Sequence, residues 1–111
     1  MLEGVAPRAS VPEIAAAYLA AARSIDSDFE RGRVLLALID GAALDAASLA
    51  TALDVTAGMR SDSERCDVLK ALAARVAPDE ALCRRYREVA SPMSSFARGE
   101  ALVALDEARR D

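Results

Sequence analysis

Ser27-Asp28-Phe29-Glu30-Arg31-Gly32-Arg33-Val34-Leu35-Leu36-Ala37-Leu38 returns later in the chain as Ser61-Asp62-Ser63-Glu64-Arg65-Cys66-Asp67-Val68-Leu69-Lys70-Ala71-Leu72, with 8 of 12 positions identical. A fainter third copy begins at Ser94, almost the same interval beyond Ser61, and keeps Arg98, a glycine at Gly99 in the place of Gly32, and then Leu102, Ala104 and Leu105. A period in the range set by Ser27, Ser61 and Ser94 marks stacked units, each too small to bury its own apolar face and dependent on its neighbours for a core.

Working outward from these copies, the punctuation is helical. Ser10-Val11-Pro12-Glu13, Ser27/Glu30 and Ser61/Glu64 read as capping boxes. In that device the serine hydroxyl accepts from the backbone N–H three residues on, and the glutamate reaches back to the serine N–H. Pro12 suits a first turn, whose amides lack intrahelical acceptors. Asp45 and Asp79, separated by the same interval as Ser27 and Ser61, cap two further helices, and Gly41 and Gly58 stand where helices should stop. The expected helices are 11–24, 28–39, 46–58, 62–75, 80–91 and 95–109. Tyr18, Ala52 and Tyr86 keep that interval, as do Ile25, Met59 and Met93, so one residue is lost in the turn around Pro92 to Ser94. Within the second helix of each unit, the rows 35/69/102, 37/71/104 and 38/72/105, with Val34, Val68 and Ala101, form the expected core face. The chain is therefore expected to be all-α, with three tandem helical hairpins over 10–44, 45–78 and 79–111 behind a lead-in of residues 1–9.

Composition agrees with one small helical domain. The 111 residues are 53% apolar, led by alanine and leucine, with no tryptophan and 4% aromatics, which favours close-packed helices over a sheet. A net charge of −4 opposes general affinity for nucleic acid or an anionic membrane. The two cysteines, Cys66 and Cys83, in a chain with no histidine, fit neither a zinc site nor a disulfide framework, so no metal or cofactor is expected and a reducing compartment is. No stretch approaches a membrane span, and residues 1–9 lack the order of a signal peptide.

The phrase Ser27-Asp28-Phe29-Glu30-Arg31-Gly32-Arg33-Val34-Leu35-Leu36-Ala37-Leu38 resembles a Ser-Asp-Tyr-Glu-(Lys/Arg)-x-x-Val-Leu-x-x-Leu repeat of bacterial proteins, including tails of membrane sensor metallopeptidases and putative adhesins. The general likeness is to HEAT-like α-solenoids. The resemblance implies an accessory protein-interaction or spacer region of a larger bacterial polypeptide. It brings no catalytic residue, since a His-Glu-x-x-His motif cannot be built without histidine. A cytoplasmic location is expected, or an extracytoplasmic one if the segment belongs to a membrane-anchored protein.

Several residues are candidates for function. Arg31, Arg65 and Arg98 hold one position in all three units, and stacking would align them as a ladder able to grip an acidic peptide or phosphate. The alternative is that each pairs with Asp28, Asp62 or a neighbouring acid and holds the hairpins in register. Position 36/70/103 reads Leu, Lys, Val, so Leu36 and Val103 are candidate apolar surface for a partner. Gly32, Cys66 and Gly99 share a position that suggests a close helix crossing, with Cys66 as a compact core residue and Cys83, aligned with Leu49, another. Arg84, Arg85 and Arg87 around Tyr86 form a basic cluster with an aromatic inside it, which keeps a nucleic-acid-binding repeat as the alternative function. The carboxylate pairs are explained by capping, so no enzyme is expected. The first helix is apolar almost all round from Ile14 to Ala22, which implies a neighbouring domain or weak self-association.

Overall fold

Six alanine- and leucine-rich segments become six helices in the computed structural model, which describes residues 11–41 and 44–110. They are α1 (Val11–Arg23), α2 (Asp28–Gly41), α3 (Ala46–Ala57), α4 (Asp62–Val76), α5 (Glu80–Ala90) and α6 (Ser95–Arg110), and no strand occurs among the described residues. Every boundary expected from the sequence falls within a turn of these. The lead-in and Ser10, with its capping box, lie outside the described residues.

The helices pair as α1·α2, α3·α4 and α5·α6, while α1, α3 and α5 lie side by side in one layer and α2, α4 and α6 in the other. Two layers of helices account for the thinnest dimension, 17 Å, of a body 50 × 33 × 17 Å. A single apolar core runs through all three hairpins from Ala15 to Leu105. Leu35, Leu69, Leu38, Leu72 and Leu105 are buried within it, as the spacing requires, but Leu102 is only half-buried and the alanine row leaves the core: Ala37 is exposed and Ala71 and Ala104 are half-buried. Alanine there limits the bulk at an edge and fills no interior.

The caps are as expected at the first helix of each later hairpin and only half as expected at the second. Asp45 accepts from the Ser48 amide at 2.8 Å, and Asp79 from the Leu82 amide at 3.1 Å. The serine hydroxyls of Ser27, Ser61 and Ser94 accept from the amides three residues on, at 3.3–3.4 Å. The reciprocal half of the box does not form at Ser61, because its N–H is already taken by an acid of the preceding hairpin. Glu64 instead lies over Gly32, where an added Cβ would stand 3.4 Å from its Oε2.

The two ends of the stack differ. Positions 18/52/86 and 25/59/93 are buried in the second and third hairpins, as Ala52, Tyr86, Met59 and Met93, but the first hairpin leaves Tyr18 49% exposed and Ile25 half-buried. At the other end, charged residues replace core residues. Arg87 stands where Leu19 and Leu53 are buried, and Asp106 where Ile39 and Ala73 are buried. At these two positions the last hairpin carries charge where the other hairpins bury apolar residues.

Candidate partner-binding surfaces

The arginine ladder is built against backbone carbonyls. Arg31 donates from Nε and Nη2 to the Ile25 carbonyl at 3.1 and 2.6 Å, and from Nη2 to that of Arg23 at 3.4 Å. Arg65 repeats this on Met59 (2.7 Å) and Ala57 (2.5 Å), and reaches across to the Val89 carbonyl of the next hairpin at 3.2 Å. Arg98 does the same with Met93 and Ser91, both at 3.2 Å. Each guanidinium therefore closes the C-terminal end of the helix before it, where carbonyls lack partners and the helix dipole favours a cation. Arg31 and Arg98 bond within their own hairpins and Arg65 reaches the next one, none of them through Asp28 or Asp62, and these donors are engaged within the fold. Arg65 Nε is buried without a partner, a local cost that its three carbonyl bonds offset.

Asp28 and Asp62 join successive hairpins. Asp28 Oδ2 accepts from the amides of Arg60 (2.7 Å) and Ser61 (2.5 Å), and Asp62 Oδ2 accepts from the amide of Ser94 at 2.8 Å. The second joint has one bond where the first has two because the residue lost from the third unit is the counterpart of Arg60. Position 95 is serine, so the third unit lacks the linking acid.

The small-residue row follows the same direction. Gly32 packs against Glu64, Met59 and Val68 of the second hairpin, and Cys66 Sγ lies 3.5 Å from the Ala97 carbonyl of the third. A Cβ on Gly99 would meet nothing within 4 Å. Cys66 is a packing residue: burial pushes its thiol above the ordinary value, away from the thiolate that reactivity needs. Cys83 is buried too, with Sγ 3.3 Å from the Val76 carbonyl and 2.7 Å from Arg109 Nη1.

The basic cluster around Tyr86 comes apart on folding. Tyr86 is fully buried and donates to the Ala101 carbonyl at 2.6 Å, so its ring offers no face for stacking a base. Arg85 pairs with Asp54 of the second hairpin, while Arg84 and Arg87 remain exposed near Glu80.

Of the apolar candidates, Leu36 is half-buried and Val103 is 53% exposed, with Lys70 between them bonded to Glu100 at 3.4 Å. Val103 belongs to an open cleft of about 570 Å³ along α6, lined by Phe96, Gly99, Val103, Ala104, Lys70 and Glu107. Phe96, 77% exposed, is its most prominent side chain, and the periodic reading of the sequence does not single it out. A signal is present all the same: Phe96 and Val103 are two helical turns apart on one face, with Gly99 between them. Tyr18 lies in the Ile14–Ala22 stretch that the sequence marks as apolar surface, and its periodic partners Ala52 and Tyr86 are buried.

Among the described residues, no group of three or more histidine, cysteine, aspartate or glutamate side chains is placed to hold a metal ion, and no helix is long and apolar enough to cross a membrane. No family model, curated protein or solved structure matches the chain.

Proposed function

We propose that the chain is a non-catalytic protein-interaction module, a short HEAT-like α-solenoid of three hairpins within a larger bacterial protein or assembly, which takes a partner on the exposed surface of α2, α4 and α6. The observation that carries this is the α6 cleft. Phe96 and Val103 stand exposed on either side of Gly99, and Lys70 and Glu107 lie at the rim. An apolar side chain seated over Gly99 would touch both walls. Leu36, two helices away in the same layer, is half-buried against the core and does not line the cleft.

Chemistry is disfavoured by how the polar groups are used. The three arginines cap helices, the aspartates link hairpins, and the thiols are buried. Nucleic-acid binding is weakened as an alternative by the burial of Tyr86 and the Arg85–Asp54 pair. The test is selection of a displayed random peptide library on the immobilised full-length chain. Recovered peptides should carry an apolar anchor, and Phe96→Glu or Val103→Glu should weaken them at least about tenfold while Arg31→Gln leaves them unchanged. Peptides indifferent to both α6 substitutions would remove the cleft as the binding surface, and recovery of none would favour a spacer.

A further inference from the structure

Three separate observations fall on the outward side of the first hairpin, and each is a feature that the preceding hairpin supplies elsewhere in the chain. Tyr18 and Ile14 are 49% and 40% exposed, whereas Tyr86 and Ala52 are fully buried and Ser48 and Leu82 nearly so. Val34 is half-buried where Val68 and Ala101 are completely covered. The backbone amides of Asp26 and Ser27 have no acceptor among the described residues, whereas those of Arg60, Ser61 and Ser94 are held by Asp28 and Asp62.

We infer that this face is a docking site for one more helical hairpin of the same pattern, which supplies an aspartate to the amides of Asp26 and Ser27. The surface continues a joint that the chain builds twice internally. Apolar cover over Ile14, Tyr18 and Ile25 gives affinity, and a carboxylate accepting two backbone N–H bonds fixes the register. The inference rests on the interaction-module proposal but concerns a face at the end of the stack, away from the α6 cleft.

A second copy of this chain is a poor occupant. Docked head to tail, it would offer Ser95 where the linking acid is needed, together with Arg87 and Asp106 in place of apolar residues. Docked face to face, it would set amide against amide and Asp26 against Asp26. Asp26 stands where the second hairpin has Arg60, and its charge repels the incoming acid.

The test inserts a copy of residues 44–77 between Ala9 and Ser10 of the full chain, which sets the inserted aspartate as far ahead of Ser27 along the chain as Asp28 is ahead of Ser61. The insert contains no tyrosine, so emission quenching by acrylamide reports on Tyr18 and the already buried Tyr86. Expected are an added hairpin's worth of helix and quenching reduced to that of a Tyr18→Phe chain. Asp62→Asn in the inserted copy should restore part of the quenching and lower the melting temperature, and Asp26→Arg should raise it. Phe96→Glu and Val103→Glu should change none of this, so loss of the cleft proposal would leave the face standing. An insert that gains no helix, or that folds while Tyr18 stays as quenchable as before, overturns the inference. So does sedimentation of the unmodified chain as a dimer with Tyr18 protected, which would make a second copy the occupant.

Discussion

The Asp28 carboxylate accepts a 2.5 Å hydrogen bond from the backbone amide of Ser61, in the next hairpin, and thereby occupies the donor that the Glu64 side chain would otherwise take. A long-range joint has displaced a local cap. Charge-assisted bonds to backbone amides contribute about 1.5–3 kcal/mol, so Asp28→Ala should destabilise the chain by that amount, and Asp62→Ala, with one amide rather than two, by less. Denaturant melts of the two variants side by side measure the difference; equal losses would mean that the second amide contributes nothing.

Arg65 bonds three carbonyls, two in its own hairpin and one in the next. Arg65→Met keeps the length and apolar stem and removes every bond, and it should cost about 2–3 kcal/mol, more than Arg98→Met. Retained stability in Arg65→Met would show that the buried, unpartnered Nε already cancels the gain.

Tyr86 makes the fold sensitive to alkali. Burial raises its phenol well above the ordinary value of 10.0. The unfolded chain releases that proton near pH 10 and the folded chain does not, so stability is intact below about pH 10 and falls above it by up to about 1.4 kcal/mol per pH unit. Tyr86→Phe should flatten this slope in melts at rising pH, while costing about 1 kcal/mol at neutrality for the bond to Ala101.

Asp45 acts at the opposite end of the pH scale. Its hydrogen bonds from Ser48 hold its carboxyl below the ordinary 3.8. The stabilisation is complete above that value and disappears as pH falls through the lower folded one. Asp45→Ser keeps a capping oxygen without a titrating group, so it should show a shallower loss of stability between about pH 5 and pH 2.

Gly99 has open space around the missing side chain and sits inside a helix. Gly99→Ala should stabilise by about 0.5–1 kcal/mol, whereas Gly32→Ala, which meets Glu64 and Met59, should gain less or nothing. A larger gain at Gly32 would contradict the close crossing.

The helices are legible in the sequence because their determinants are local. Serine and aspartate caps and leucine spacing act within a few residues, and the constant interval from Ser27 to Ser61 and from Asp45 to Asp79 carries them from one unit to the next. What stays hidden is where polar side chains go. Acids are visible in a sequence and invite pairing with Arg31 and Arg65, but the true acceptors are carbonyls, which every residue carries. Asp28 looks like part of its own helix's first turn, although Ser95, its replacement in the third unit, is a clue that the acid serves the following hairpin. Phe96 and Val103 lie in a weaker third copy, where divergence from the pattern resembles noise and is in fact the exposed surface.

The one-way linkage of the hairpins also bears on how such a chain changes in length. Asp28 meets Ser61 and Asp62 meets Ser94 by the same kind of contact, so the acid of each of the first two units is addressed to the serine amide of the unit that comes next. Excising one whole period from the middle would bring Asp28 to Ser94 and leave Tyr18 at one end and Asp106 at the other. The middle of the molecule is interchangeable, and its individuality resides in its two ends.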